Sequence, residues 1–152
     1  MTVSEEAQLH LVKAREFLEA AEGSRDRKLY NAATSDAIIS AINSKDAICL
    51  ALTGRTNKSD NHADAVPELK RAGPAGADLS PTLNRLLKLK TKSQYAPLSV
   101  APSSANKAVE WARSEYSQVP EMSLPAAETH IKARSLILIE VTIGSLLSAR
   151  NP

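Results

Sequence analysis

Aromatic residues are nearly missing from this sequence. Phe, Trp and Tyr together make up 3% of its 152 residues, with Trp111 the single tryptophan. That shortage disfavours a β-sandwich, whose strands want aromatic and β-branched side chains. It also disfavours a nucleic-acid platform built on stacked rings. Cysteine is rarer still: the lone Cys49 excludes an internal disulfide and any multi-cysteine zinc site. No His-x-x-x-His or Cys-x-x-Cys pair occurs, so neither a classical metal site nor a cofactor is expected. A Gly-x-Ser-x-Gly nucleophile elbow is absent too. The most apolar run, "SLILIEVTIGSLL", is interrupted by Glu140 and is too short to span a bilayer. The N-terminus, "MTVSEEAQ", is acidic and polar, unlike a secretory leader. The expectation is a soluble, cytoplasmic protein with no membrane association.

What is present is apolar and small. The hydrophobic fraction is 43%, carried by alanine and leucine, which suits close-packed helices. The length fits about one domain, enough for a packed core. Net charge is +2 with a pI near 8.7, so binding to nucleic acid must rest on local clustering of cations.

Hydrophobic spacing predicts an all-α bundle of five to six helices. The first runs from about Thr2 to Glu22, with Thr2 and Glu5 forming a capping box and Gly23 ending the run. Its inward stripe is Leu11, Ala14, Leu18 and Ala21. The second runs from about Leu29 to Thr53 and stops at Gly54. Apolar residues almost encircle it, which marks a central helix. One narrow polar stripe remains, Asp36, Ser40 and Asn43, facing either water or a partner subunit or ligand. A third helix, about Asn61 to Ala72, contains Pro67 and is short or kinked. "GPAGAD" reads as a plain turn, because no Gly-Lys-Ser/Thr follows its glycines. Ser80 as N-cap and Pro81 at the first helical position open the fourth helix, whose buried stripe is Leu79, Leu83, Leu86 and Leu87. A fifth, about Ser104 to Gln118, is buried through Ala105, Val109 and Ala112. A last helix extends from about Ser123 to Ala149. The expected division is a bundle over 1–118 and a C-terminal helix over 119–152 that packs on the bundle or on a partner subunit.

Few residues carry an obvious chemistry. Most carboxylates fall on outer helix faces beside basic partners, an ordinary solvated surface. His10 and His130 read as surface or packed histidines, and Cys49 in "AICLAL" as a small core residue. Trp111 reads as packed at an edge of the bundle. His62 falls near the start of the third helix, where free amides and the helix dipole lower an imidazole pKa. A neutral histidine there could accept a proton, and Arg55 could steady a phosphate; equally, the histidine could simply tie the loop to the helix. From Arg85 to Lys92 there are four cations and no acid. Arg85, Lys88 and Lys92 share one helical face, whereas Lys90 would fall on the leucine face unless the helix frays before it or the lysine snorkels out of a cleft. Tyr95 follows directly.

Three segments taken in order resemble a known family: "LYNAATSDAIISAINSKDAICLALTGRTNKSDNHADAVPEL", then "LNRLLKLKTKSQY", then "SANKAVEWA". A helix containing Tyr-x-x-Ala, an "A…DA" stretch ending in glycine, a loop with Asp-x-His, a leucine-rich helix and Lys-x-x-Tyr follow one another as in the HEPN domain (higher eukaryotes and prokaryotes nucleotide-binding), particularly its small actinobacterial type. The resemblance covers about Ala7 to Arg113. It implies an up-and-down helical bundle, commonly a homodimer, from toxin–antitoxin and defence systems. Some members are ribonucleases with an Arg-x4–6-His motif, and others are non-catalytic binding modules. In the ribonucleases that motif lies on a later helix, near "KLKTKSQYAP" here, which has no histidine. Arg55 and His62 have the spacing but precede the leucine-rich helix.

The leading reading is a non-catalytic module that binds nucleic acid, a nucleotide or a toxin–antitoxin partner protein. Arg55, Lys58, His62, Arg85, Lys88, Lys92 and Tyr95 would line the site. The alternatives are a metal-independent ribonuclease using Arg55 and His62, and a structural dimer without ligand.

Overall fold

A computed structural model of the chain describes residues 1–57 and 64–119. The first helix, α1 (Val3–Asp26), begins as its sequence predicts. The Thr2 hydroxyl accepts the Glu5 N–H at 3.2 Å and the Glu5 carboxylate accepts the Thr2 N–H at 2.6 Å. The bond from the Thr2 backbone holds the Glu5 carboxyl below its usual range. Gly23 does not end this helix. One glycine near a helix end costs only about 0.5–1 kcal/mol, and the extra turn buries Ser24. The stop is Lys28, which adopts a left-handed conformation (φ +62°) and lets the Leu29 N–H reach the Ser24 carbonyl at 2.8 Å.

The central helix is α2 (Tyr30–Thr53). It ends where expected: Gly54 takes φ +73° and donates its N–H to the Leu50 carbonyl at 2.9 Å. Every residue from Asn43 to Leu50 is buried. α1 and α2 run antiparallel, with Ala7, Ala14 and Ala21 wholly buried along α1. These small side chains bring the backbones so close that the Ser40 hydroxyl donates across to the Ala14 carbonyl at 2.7 Å. Asn43 meets His10 of α1 at 3.0 Å and donates back to the Ile39 carbonyl. Ser40 and Asn43 therefore face α1, an intramolecular partner, and not water or a second subunit. Asp36, the third member of that stripe, is half-buried, and burial raises its pKa.

After the loop, α3 (Ala65–Arg71) is short, with Pro67 in its first turn, where a missing N–H breaks no helical bond. The next helix, α4, spans Pro74–Lys88 and starts seven residues before Pro81. "GPAGAD" is thus its first turn and not a loop. Gly73 (φ +126°) precedes Pro74 at the first helical position. Gly76 lies against α3, where a Cβ would collide with the Leu69 carbonyl. Pro81 sits inside the helix and cannot donate to the Ala77 carbonyl, and the Ser80 hydroxyl donates there at 2.9 Å. Leu83 and Leu86 are wholly buried.

The helical path tightens at Leu89 (φ −84°, ψ −11°) and resumes as α5 (Lys90–Gln94), so the interruption falls one residue before the half-buried Lys90. α5 is tied to the first half of α2 by Gln94 donating to Ser35 at 2.9 Å. The following link is tied there as well, by the Val100 N–H on Asn31 at 2.7 Å. α6 (Pro102–Ser117) then packs on α2, α4 and α1 through the wholly buried Ala105, Val109 and Ala112, with Arg113 bridging to Glu22 of α1 at 2.6 Å. The described residues form an all-α bundle of six helices with no strand. None of these helices is long and apolar enough to cross a membrane. The expected last helix, about Ser123 to Ala149, lies outside the described residues.

Candidate functional site

The cations of α4 and α5 form one exposed run. Arg85 and Lys88 on α4 and Lys92 on α5 are all exposed, and none pairs with a described carboxylate. Tyr95 caps α5 and is 75% exposed. The Arg85 guanidinium lies 6.0 Å from the centre of the Trp111 ring, near the limit of a cation–π contact. Trp111 is half-buried on α6, so the only tryptophan sits at the seam between this cationic helix and its neighbour.

Arg55 belongs to a different corner, built at the C-terminal end of α2. There the Lys45 ammonium, with its side chain 3% exposed, lies 2.5 Å from Asp46, 2.7 Å from Glu68 of α3 and 3.1 Å from the Thr56 hydroxyl. Burial works against its charge, but the Asp46 and Glu68 carboxylates outweigh it and hold its pKa above the usual lysine value. Thr56 in turn donates to Asp46 at 2.6 Å, and the Asn57 N–H donates to Glu68 at 2.6 Å. His10 of α1 approaches the same Asp46 at 3.7 Å. The chain leaving Gly54 is thus fastened to α2 and α3 by ion pairs and hydrogen bonds. Asp46 and Glu68 are exceptions to the expectation that carboxylates lie on solvated outer faces.

Beside this network is a cavity of about 600 Å³, with Arg55, Thr56, Asn57, Asp64 and Arg71 among its lining and Cys49 at its base. Burial pushes the Cys49 thiol up to about 12, so it stays protonated and serves as packing, not as a nucleophile. Among the described residues, no group of three His, Cys, Asp or Glu is placed to hold a metal ion.

The residues singled out in the sequence divide into two groups. Arg85, Lys88, Lys92 and Tyr95 follow one another along α4 and α5, whose tie to α2 is at Ser35. Arg55 stands just past Thr53, 18 residues further along the same unbroken helix, about 27 Å at 1.5 Å per residue. The pocket beside Arg55 has none of Arg85, Lys88, Lys92 or Tyr95 in its described lining. Lys58 and His62 lie outside the described residues, on the segment between Asn57 and Asp64, both of which line the cavity. His10 is packed against Asn43, and His130 lies outside the described residues. Sequence reasoning passed over Lys45, Asp46 and Arg71. The visible signal was "SKDAI", two charges in the middle of a helix that is apolar almost all round.

No curated protein matches this chain. The HEPN domain family matches residues 7–119, which takes in every helix from the first turns of α1 to the end of α6. The chain belongs to the HEPN domain family, whose members are helical modules of the nucleotide-binding or ribonuclease type.

Proposed function

We propose that this HEPN domain binds the phosphates of a nucleic acid or nucleotide along α4 and α5 without cleaving them, beside a partner protein in a toxin–antitoxin or defence system. The observation that carries the reading is the run Arg85, Lys88 and Lys92. These three cations are exposed, unpaired with any described carboxylate, and follow one another along α4 and α5. With a net charge of only +2, a local cluster of this kind supplies the positive potential that the total charge does not. Tyr95, exposed at the end of α5, packs on or hydrogen-bonds the ligand beside these cations. The non-cleaving part rests on the segment "KLKTKSQY", which has no histidine where ribonuclease members of the family carry one. His62 falls instead earlier in the chain, on the segment between Asn57 and Asp64.

Fluorescence anisotropy with single-stranded RNA in EDTA, over a salt series, tests this. Each phosphate neutralised contributes about −0.7 to the slope of log K on log salt, so three cations give a slope near −2. Lys88→Glu/Lys92→Glu should flatten that slope and weaken binding more than about tenfold. Binding that ignores salt, or is equal in the wild type and the double variant, refutes the reading. Cleavage of the RNA in EDTA that His62→Ala abolishes would favour the ribonuclease alternative instead.

A further inference from the structure

The cavity at the far end of α2 has a volume of about 600 Å³, within the range of pockets that hold small molecules. Much of its polar wall is already engaged. Both Glu68 carboxylate oxygens are taken, one by Lys45 and one by the Asn57 N–H. The Thr56 hydroxyl donates to Asp46 and accepts from Lys45. The Thr53 hydroxyl is held by the carbonyls of Cys49 and Arg55. Three charged lining groups stay unengaged by any described residue: the guanidinium groups of Arg55 and Arg71 and the carboxylate of Asp64, all exposed at the rim. Cys49, Pro67 and Ala72 supply apolar lining.

This inventory narrows the ligand. One guanidinium fork saturates the two oxygens of a carboxylate, whereas a phosphoryl group offers three oxygens and a charge near −2 to two forks at once. A carboxylate such as Asp64 accepts hydrogen bonds and has none to give, so its counterpart must be a donor. We infer that this cavity is a second ligand site that takes a small phosphomonoester bearing hydroxyl groups, with Arg55 and Arg71 on the phosphoryl oxygens and Asp64 accepting from a hydroxyl. The buried Lys45 network fastens Thr56 and Asn57, so the backbone next to Arg55 is held before any ligand arrives. The site stands apart from the α4–α5 face and does not depend on it.

Isothermal titration calorimetry of the full chain with glucose 6-phosphate, inorganic phosphate and glucose tests the inference. Glucose 6-phosphate should bind more tightly than inorganic phosphate, and glucose should not bind. Arg55→Gln and Arg71→Gln should each weaken glucose 6-phosphate by about tenfold or more, as expected when charge-assisted hydrogen bonds are lost. Asp64→Asn should erase the preference for the sugar phosphate over inorganic phosphate. A control that removes even more charge elsewhere, Lys13→Gln/Lys107→Gln, should bind like wild type. Circular dichroism melts confirm that each variant is folded, and the arginines are exposed enough to replace without unfolding. Failure of wild type to bind either phosphate, wild-type affinity in both arginine variants, or an equal loss in the lysine control overturns the proposal. An unchanged preference in Asp64→Asn overturns the hydroxyl contact.

Discussion

The Lys45 ammonium and the Glu68 carboxylate, 23 residues apart in sequence, meet at 2.7 Å and join the C-terminal half of α2 to α3. Replacing one partner of a buried pair leaves the other charge without compensation, at about 3–5 kcal/mol. Lys45→Met strands two carboxylates, Asp46 and Glu68, and should lower the melting temperature by about 10 °C for a chain of this size. Glu68→Gln leaves Lys45 still paired with Asp46 and should cost distinctly less. Thermal unfolding followed by circular dichroism checks the order. Equal losses in the two variants would mean that Asp46 contributes nothing to holding Lys45.

Gly76 offers a prediction of opposite sign to helix propensity. In an exposed helix, glycine to alanine gains roughly 1 kcal/mol. Here the new methyl meets the Leu69 carbonyl, a backbone atom that cannot swing aside. Gly76→Ala should therefore destabilise the protein by about 1–3 kcal/mol, as overpacking does. Urea denaturation decides it, and a gain in stability would show that α3 and α4 can part at little cost.

Glu115 on α6 is wholly buried, and among the described residues neither of its carboxyl oxygens makes a well-aligned hydrogen bond. Burial pushes its pKa from 4.5 up to about 8, with the Leu83 backbone of α4 offsetting only part of that. Below pH 4.5 the folded and unfolded chains both carry the proton. Between 4.5 and about 8 only the folded chain keeps it, so stability falls as pH rises, by up to about 1.4 kcal/mol per unit. Above the folded value the loss is complete. Glu115→Gln removes this dependence and should be the more stable protein at pH 8. Parallel stability curves for the two proteins across pH 5–8 would rule the effect out.

Trp111 gives the α4–α5 face a built-in reporter. Its ring lies under Arg85, so a phosphate that draws Arg85 away changes the indole environment. Saturating single-stranded RNA should shift or quench the tryptophan emission, and Arg85→Ala should reproduce part of the shift without RNA. RNA binding with an unaltered spectrum would move the ligand off this face.

Much of the helical frame was legible because its signals are local. The Thr2–Glu5 box and the Gly54 stop each need only neighbours in sequence, and both hold. Ser80–Pro81 misled for the same reason: it has the form of a helix start, yet in the interior of α4 the serine occupies the carbonyl that the proline leaves open. Gly73 and Gly76 read as a turn, although Gly76 is there for a neighbouring helix whose approach no local pattern records. The candidate site was half legible. The exposed cations from Arg85 to Lys92 form a contiguous run, and the sequence displays them. Their separation from Arg55 follows from the length of α2 and from Gln94 reaching Ser35, a contact across 59 residues. The Lys45 network joins three separate segments and so left only two unexplained charges in an apolar helix.

The alanines buried along α1, Ala7, Ala14 and Ala21, recur every seventh residue, and they bear on how a mutational scan of this protein should be read. Truncation can do little there, since a methyl is already almost nothing, while any larger side chain forces the two backbones apart. Such a scan would report these positions as intolerant of nearly every replacement. That profile is commonly taken as the mark of an active centre, yet here it would record only how closely two helices lie. A map of function drawn from tolerance alone would point to the α1–α2 seam and pass over the exposed cations.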